Sequence, residues 1–177
     1  MLATTHVIIP LVIVDFLRDY FLKHKHRRLI PRKYIFFVGI GGILPDVDIF
    51  LGYILKFLSM DIPAWLQHGR ITHSFLWPIL LFIIAGFLWR GTKFSKGESK
   101  KEWHSAFLIV TLVAIGLLSH VLLDGFAGST TPYYPFSTAV AFGAQRINHY
   151  TMVSIDAMIL LIWLFHEEWR HNIRKFF

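Results

Sequence analysis

The chain has no cysteine among its 177 residues. Disulfides are therefore excluded, and any bound metal must be held by nitrogen and oxygen rather than thiolate. Charge is scarce too: 16% of residues are Asp, Glu, Lys or Arg, against 55% hydrophobic. With a mean hydropathy of +0.53, the chain is too apolar for an ordinary soluble domain built on one core. No internal repeat or low-complexity tract is present. No basic stretch precedes Val7 and no small-residue cleavage site follows the apolar run, so a signal peptide is not expected.

What the sequence does have is long apolar runs. A bilayer core of about 30 Å needs roughly 20 apolar residues in helical form. Segments 34–58, 73–89, 104–126 and 150–165 qualify or nearly do. Segment 2–22 is apolar from Val7 to Val14 but then carries Asp15, Arg18 and Asp19, which suggests a shorter or partly interfacial helix. The expected fold is all-α: one polytopic membrane bundle over residues 1–177, of about five helices.

The basic residues alternate by loop. Fourteen of the eighteen Lys and Arg residues fall in the first connection, the third connection and the C-terminal tail, whereas the second connection holds Arg70 and the fourth Arg146. By the positive-inside rule this predicts five crossings with the C-terminus in the cytoplasm. No recognition motif accompanies the basic loops, so nucleic acid is not an expected partner. On this map all four Glu residues lie at the cytoplasmic side with His24, His26, His104, His166 and His171. His6, His68, His73, His120 and His149 lie at the outer side, with Asp46, Asp48, Asp61, Asp124 and Asp156 in the outer half. Asp46 is twelve residues beyond Tyr34, about 18 Å along a helix. Five segments thus send His or Asp toward one end of the bundle.

Each segment also has a plainer explanation. In "LPDVD" (44–48), Pro45 breaks the helix, while Gly39, Gly41 and Gly42 allow close helix packing. Carboxylates at this depth are costly and usually functional, although Arg70 or Arg146 could simply pair with them. Residues two apart point opposite ways on a regular helix, so Asp46 and Asp48 share a site only if the backbone departs from α there. His120 and Asp124 are an i, i+4 pair that fits one ion or a buried hydrogen bond. In "HGRITHS" (68–74), Thr72 could serve only as an N-cap, with His68 and His73 solvated. His6 could be a polar interfacial group, and His149 and Asp156, two turns apart, ordinary interfacial residues. The inner-side histidines read as solvated, and Asp15 and Asp19 as partners of Arg18.

Taken in order, Thr5-His6, G-x-L-P-D-x-D at 42–48, H-G-R-x-T-H-S at 68–74, H-x-x-x-D at 120–124 and Pro135-Phe136 resemble the YdjM-type membrane-bound metal-dependent hydrolases. That family is similar in ligand order to the zinc-dependent bacterial phospholipases C and the fungal single-strand nucleases, which are helical enzymes with multi-zinc sites. The soluble relatives use a free N-terminal amine as a ligand, whereas His6 here lies several residues in. Their H-x-x-x-E pair is absent, and His149 and Asp156 are the candidates to stand in.

Imidazoles and carboxylates without thiols suit Zn²⁺, with Mn²⁺ or Fe²⁺ as alternatives. More than four candidate ligands imply two or more ions, an arrangement that clamps both oxygens of a phosphoester displacement. The expected assignment places one ion on Asp46, His73 and His120 and another on His6 and Asp124, with Asp48 and His68 completing or orienting the shell. Asp46 or Asp48 would accept the proton of a metal-activated water. Arg70 would bind phosphate through its forked donors, with Arg146 second. The Gly- and aromatic-rich segment 125–148 would form a lid or acyl groove. The expected function is a membrane phosphodiesterase of phospholipase C type, acting on lipid or lipid-linked phosphoesters at the extracytoplasmic face. The alternatives are a metal-ion transporter, a non-catalytic membrane scaffold and a lipid phosphate phosphatase; the last lacks its K-x₆-R-P and S-G-H elements here.

Overall fold

A computed structural model describes residues 3–25, 30–127, 130–139 and 149–171. It contains six α-helices: α1 (Ala3–Lys25), α2 (Arg32–Ile43), α3 (Val47–Phe57), α4 (Leu76–Phe94), α5 (Gly97–Ala127) and α6 (His149–His171). Short 3₁₀ turns cover Leu44–Asp46, Ala64–Leu66 and Ile71–His73. No strand occurs among the described residues. The all-α expectation of about five helices holds, because α2 and α3 are two halves of one broken helix.

That break falls where the sequence places it. Pro45 has no N–H to donate, so the backbone tightens into a 3₁₀ turn over Leu44–Asp46 before α3 begins. The departure from α geometry lets Asp46 and Asp48 approach one site. The helix expected from residue 73 instead starts at Leu76, after His73 has been held in its own 3₁₀ turn.

Helix α5 is the centre of the bundle, packed against α4, α2 and α1, while α6 packs against α1. Val14, Ile35, Val38 and Leu112 form the buried core. The crossings are close because side chains are missing there. A Cβ on Gly41 would collide with the α5 backbone at Val113, one on Gly116 with the Val38 carbonyl, and one on Gly42 with the His6 carbonyl. Small residues are the usual means of tight helix contact in lipid, where apolar burial gives little drive. Large side chains such as Phe36, Phe57, Phe87 and Phe165 point outward instead.

Among the described residues three segments are long and apolar enough to cross a membrane: Arg32–Phe57, Leu76–Phe94 and Gly97–Phe126. Helix α1, which carries Asp15, Arg18 and Asp19, is not among them. The segment 150–165, expected to span, is helical within α6 but is not among these three. Asp156 and Glu167, both buried, reduce the apolarity of α6.

Candidate metal centre

The start of α1, the α2–α3 break, the turn before α4 and the end of α5 come together, with His6, Asp46, His73, His120 and Asp124 linked by distances of 3.1–3.6 Å. Their polar side chains meet as well. His6, His73, His120, Asp48 and Asp124 are each at most 3% exposed. His73, which was also open to a solvated reading, is therefore buried, whereas the His68 side chain is 45% exposed at the rim.

The geometry turns on two ring nitrogens. His73 Nε2 lies 3.6 Å from Asp46 Oδ1 and 3.3 Å from Asp124 Oδ2. His120 Nε2 lies 3.6 Å and 3.2 Å from the same two oxygens. Neither nitrogen has a hydrogen-bond partner, although both are fully buried. A tetrahedral ion with ligand bonds of 2.0–2.1 Å would separate its ligands by roughly 3.3–3.4 Å. The four nitrogen–oxygen distances, 3.2–3.6 Å, fit that spacing.

The opposite ring nitrogens are tied off. His120 Nδ1 lies 2.7 Å from the Gly42 carbonyl, which can only accept, so Nδ1 carries the proton and Nε2 offers its lone pair to the cluster. His73 Nδ1 is 3.0 Å from Thr72 Oγ1, which in turn donates to Asp48 Oδ2 at 2.6 Å. Metal-binding histidines are oriented in this way, by a carbonyl or carboxylate behind the ring. Asp48 thus stands behind His73, with its other oxygen accepting from His68 Nδ1 at 2.9 Å. Of the two roles open to Asp48, completing the shell or orienting it, this geometry matches the second.

His6 completes the cluster. Its Nε2 lies 3.1 Å from Asp124 Oδ1, so the two oxygens of Asp124 face different histidines. Its ring stacks on His120 with centroids 3.8 Å apart, an arrangement that disfavours charging both rings. At this end of the bundle two groups among the described residues have the proximity required of a metal site: His6 with His120 and Asp124, and Asp46 with His68 and His73. Burial opposes charge on His73, but Asp124, Asp46 and Asp48 outweigh it and push its pKa up to about 10. The pocket demands positive charge, which a proton or a metal ion could supply.

The YdjM inner membrane protein family model matches residues 1–176. The chain belongs to this family. No curated protein and no solved structure matches it. Membership and the apolar helices make this YdjM-family chain a membrane protein.

The remaining expected residues divide. Arg70 precedes the His73 turn, is half buried, and supplies the carbonyl that accepts from the His73 amide at 3.1 Å. Asp156 is buried in α6 but does not join either ligand group among the described residues. Arg146 and the side chain of His149 lie outside the described residues. Of the segment expected as a lid, residues 130–139 are tied to the His73 turn. Thr131 N and Oγ1 both reach the Gly69 carbonyl, and Phe75 N donates to the Pro132 carbonyl. Ser74 Oγ donates to the Tyr134 carbonyl at 2.5 Å. Two contributors were not legible as such: Thr72, whose position suggested a cap and whose hydroxyl instead donates a hydrogen bond to Asp48, and the Gly42 carbonyl. The first had a signal in its place between His68 and His73; a backbone acceptor has none.

Proposed function

We infer that this protein is a metal-dependent hydrolase of the membrane, a phosphodiesterase of phospholipase C type acting on lipid or lipid-linked phosphoesters. The observation that carries this reading is the pair of unpartnered Nε2 atoms of His73 and His120 facing the same Asp46 and Asp124 oxygens. The donor set fits Zn²⁺, with Mn²⁺ or Fe²⁺ as alternatives. His6, Asp46, His73, His120 and Asp124 would hold one or two ions. When bound, such ions polarise a phosphoryl oxygen and lower the pKa of water.

The chain's own groups do the rest. Asp48 holds His73 in the tautomer that presents Nε2. Asp46, whose side chain is 19% exposed, is better placed than fully buried Asp48 to accept a proton from attacking water. Arg70 offers a guanidinium matched to phosphate oxygens. The loop charges support a site on the extracytoplasmic side with the C-terminus in the cytoplasm.

Purified full-length protein, assayed for metal content and against a panel of phospholipids and soluble phosphodiesters, tests the reading. Bound zinc-type metal and chelator-sensitive hydrolysis are expected. Metal without hydrolysis would favour a carrier or scaffold. Reporters after Phe177 and near Lys96 should report cytoplasm, and one near Asp61 the outside; the reverse would invert the orientation.

A further inference from the structure

An apolar cavity of about 320 Å³ opens where the three membrane-crossing segments meet. Leu44 and Pro45 line it from the α2–α3 break, Trp77 and Leu81 from α4, Leu117 from α5 and Thr72 from the turn before α4. Three of these adjoin candidate metal ligands. Pro45 precedes Asp46, Thr72 precedes His73, and Leu117 lies one turn before His120 on the same face of α5. No lining side chain is charged, and the two that carry a hydrogen-bond donor are already engaged. Thr72 Oγ1 donates to Asp48 Oδ2 at 2.6 Å, and Trp77 Nε1 donates to the Ile71 carbonyl at 2.8 Å. A polar ligand would give up its water contacts here without replacement. Pro45 and Leu117 are buried and form the floor, whereas Leu44 and Trp77 are 39% and 40% exposed and form the mouth. That mouth lies on segments that cross the membrane, so lipid chains are what it meets.

We propose that this cavity holds an acyl chain of the lipid substrate, which brings the phosphoester of the same molecule to the metal centre. Hydrocarbon suits a lining with no charge and no free side-chain donor. Trp77, Leu81 and Ile84 follow one another at i, i+4 and i+7 on α4, so a chain longer than the cavity continues along exposed Ile84. None of the lining residues comes from segment 125–148, where the sequence suggested an acyl groove. Lipid tails are as apolar as leucine, so the cavity contributes position more than affinity. Its role as a substrate subsite rests on the hydrolase reading, whereas the binding of a chain does not.

Photolabelling separates the two. The full-length protein is placed in nanodiscs containing phosphatidylglycerol with a diazirine within one acyl chain, illuminated, and mapped by peptide mass spectrometry. Buried Leu117 should be labelled, which distinguishes the cavity from the lipid-facing surface, for which exposed Phe87 is the reference. Leu81→Trp fills the cavity and Leu44→Trp blocks its mouth. Each should lower labelling at Leu117 several-fold relative to Phe87 while keeping wild-type metal content. Leu81→Trp should also lower kcat/KM more for long-chain than for short-chain phosphatidylglycerol. Labelling of Leu117 that falls in both variants, without hydrolysis of any lipid by the wild type, would keep the acyl site and remove the hydrolase. Leu117 left unlabelled in the wild type, or labelled equally in the wild type and both variants, would overturn the acyl site whether or not lipids are hydrolysed.

Discussion

At one end of the bundle Asp15 meets Arg18 at 2.7 Å and Glu167 meets Arg32 at 2.8 Å. At the other, the ion-pair partners of Asp46, Asp48 and Asp124 among the described residues are histidines. Both ends bury carboxylates, and both have metal-ligand proximity, since Asp15, His166 and Glu167 also lie within 4.8 Å of one another. His166, expected to be solvated, is half buried there against Phe16. Proximity alone therefore does not distinguish a metal centre from a structural latch. The difference is the source of positive charge. Guanidinium groups with fixed charge already serve the Asp15–Glu167 cluster, which fastens α1 to α2 and α6. Histidines are neutral donors in the form that binds metal, so the cluster around Asp124 has the donor set to take up a cation.

The largest expected effect separates the ends directly. Asp124→Asn and His120→Ala should each lower metal affinity more than about 100-fold, exceeding the 10–100-fold typical of outer-shell changes. Inductively coupled plasma mass spectrometry on folded protein would check this, with exposed His104→Ala as the control that keeps its metal. Retained metal in Asp124→Asn would erase the distinction between the two clusters.

Next is the converse. Arg18→Ala should leave metal content unchanged but take the guanidinium away from buried Asp15, at about 3 kcal/mol of stability, measurable by denaturation in detergent. Arg32→Ala should cost less, because its side chain is 40% exposed and solvent can take over part of its role.

Gly42→Ala tests how the His6–Asp124 cluster is assembled. The added methyl meets the His6 carbonyl, so α1 must move and His6 with it. Metal affinity should fall, with overpacking costing about 1–3 kcal/mol. Unchanged metal affinity in this variant would show that His6 is not needed to hold the ion.

The smallest effect is expected for Thr72→Val, which keeps the shape but removes the hydroxyl between His73 and Asp48. Metal affinity should fall by about tenfold, the lower end for an outer-shell group, and Thr72→Ser should restore it. A Val variant with wild-type affinity would show that Asp48 orients His73 without Thr72.

The helical class, the break at Pro45 and the gathering of His6, Asp46, His73, His120 and Asp124 at one end were legible because each follows from local chemistry. Apolar length sets the helices, proline removes a donor, and alternating helix directions send residues at known distances from the turns to the same side. Other features were not legible. Asp48 and Asp46 are two residues apart and chemically identical, yet one backs His73 and the other faces the shared centre. That split comes from how far the 3₁₀ turn rotates the backbone, together with the hydroxyl that reaches Asp48. Likewise His166 was grouped with the solvated inner histidines until the α1–α6 contact placed it against Phe16.

The sequence by itself determined that this is a membrane-embedded helical protein with imidazoles and carboxylates collected at one end, because composition and helical rise act locally. Only the tertiary structure decided which ring nitrogens face a common centre, which carboxylates are already neutralised by arginine, and where an apolar cavity opens beside Thr72. Those depend on distances between helices, which are set by the glycine crossings at 41, 42 and 116 and by backbone groups such as the Gly42 carbonyl. Helix spacing and the aim of a main-chain acceptor arise from packing, and one-dimensional spacing does not encode them.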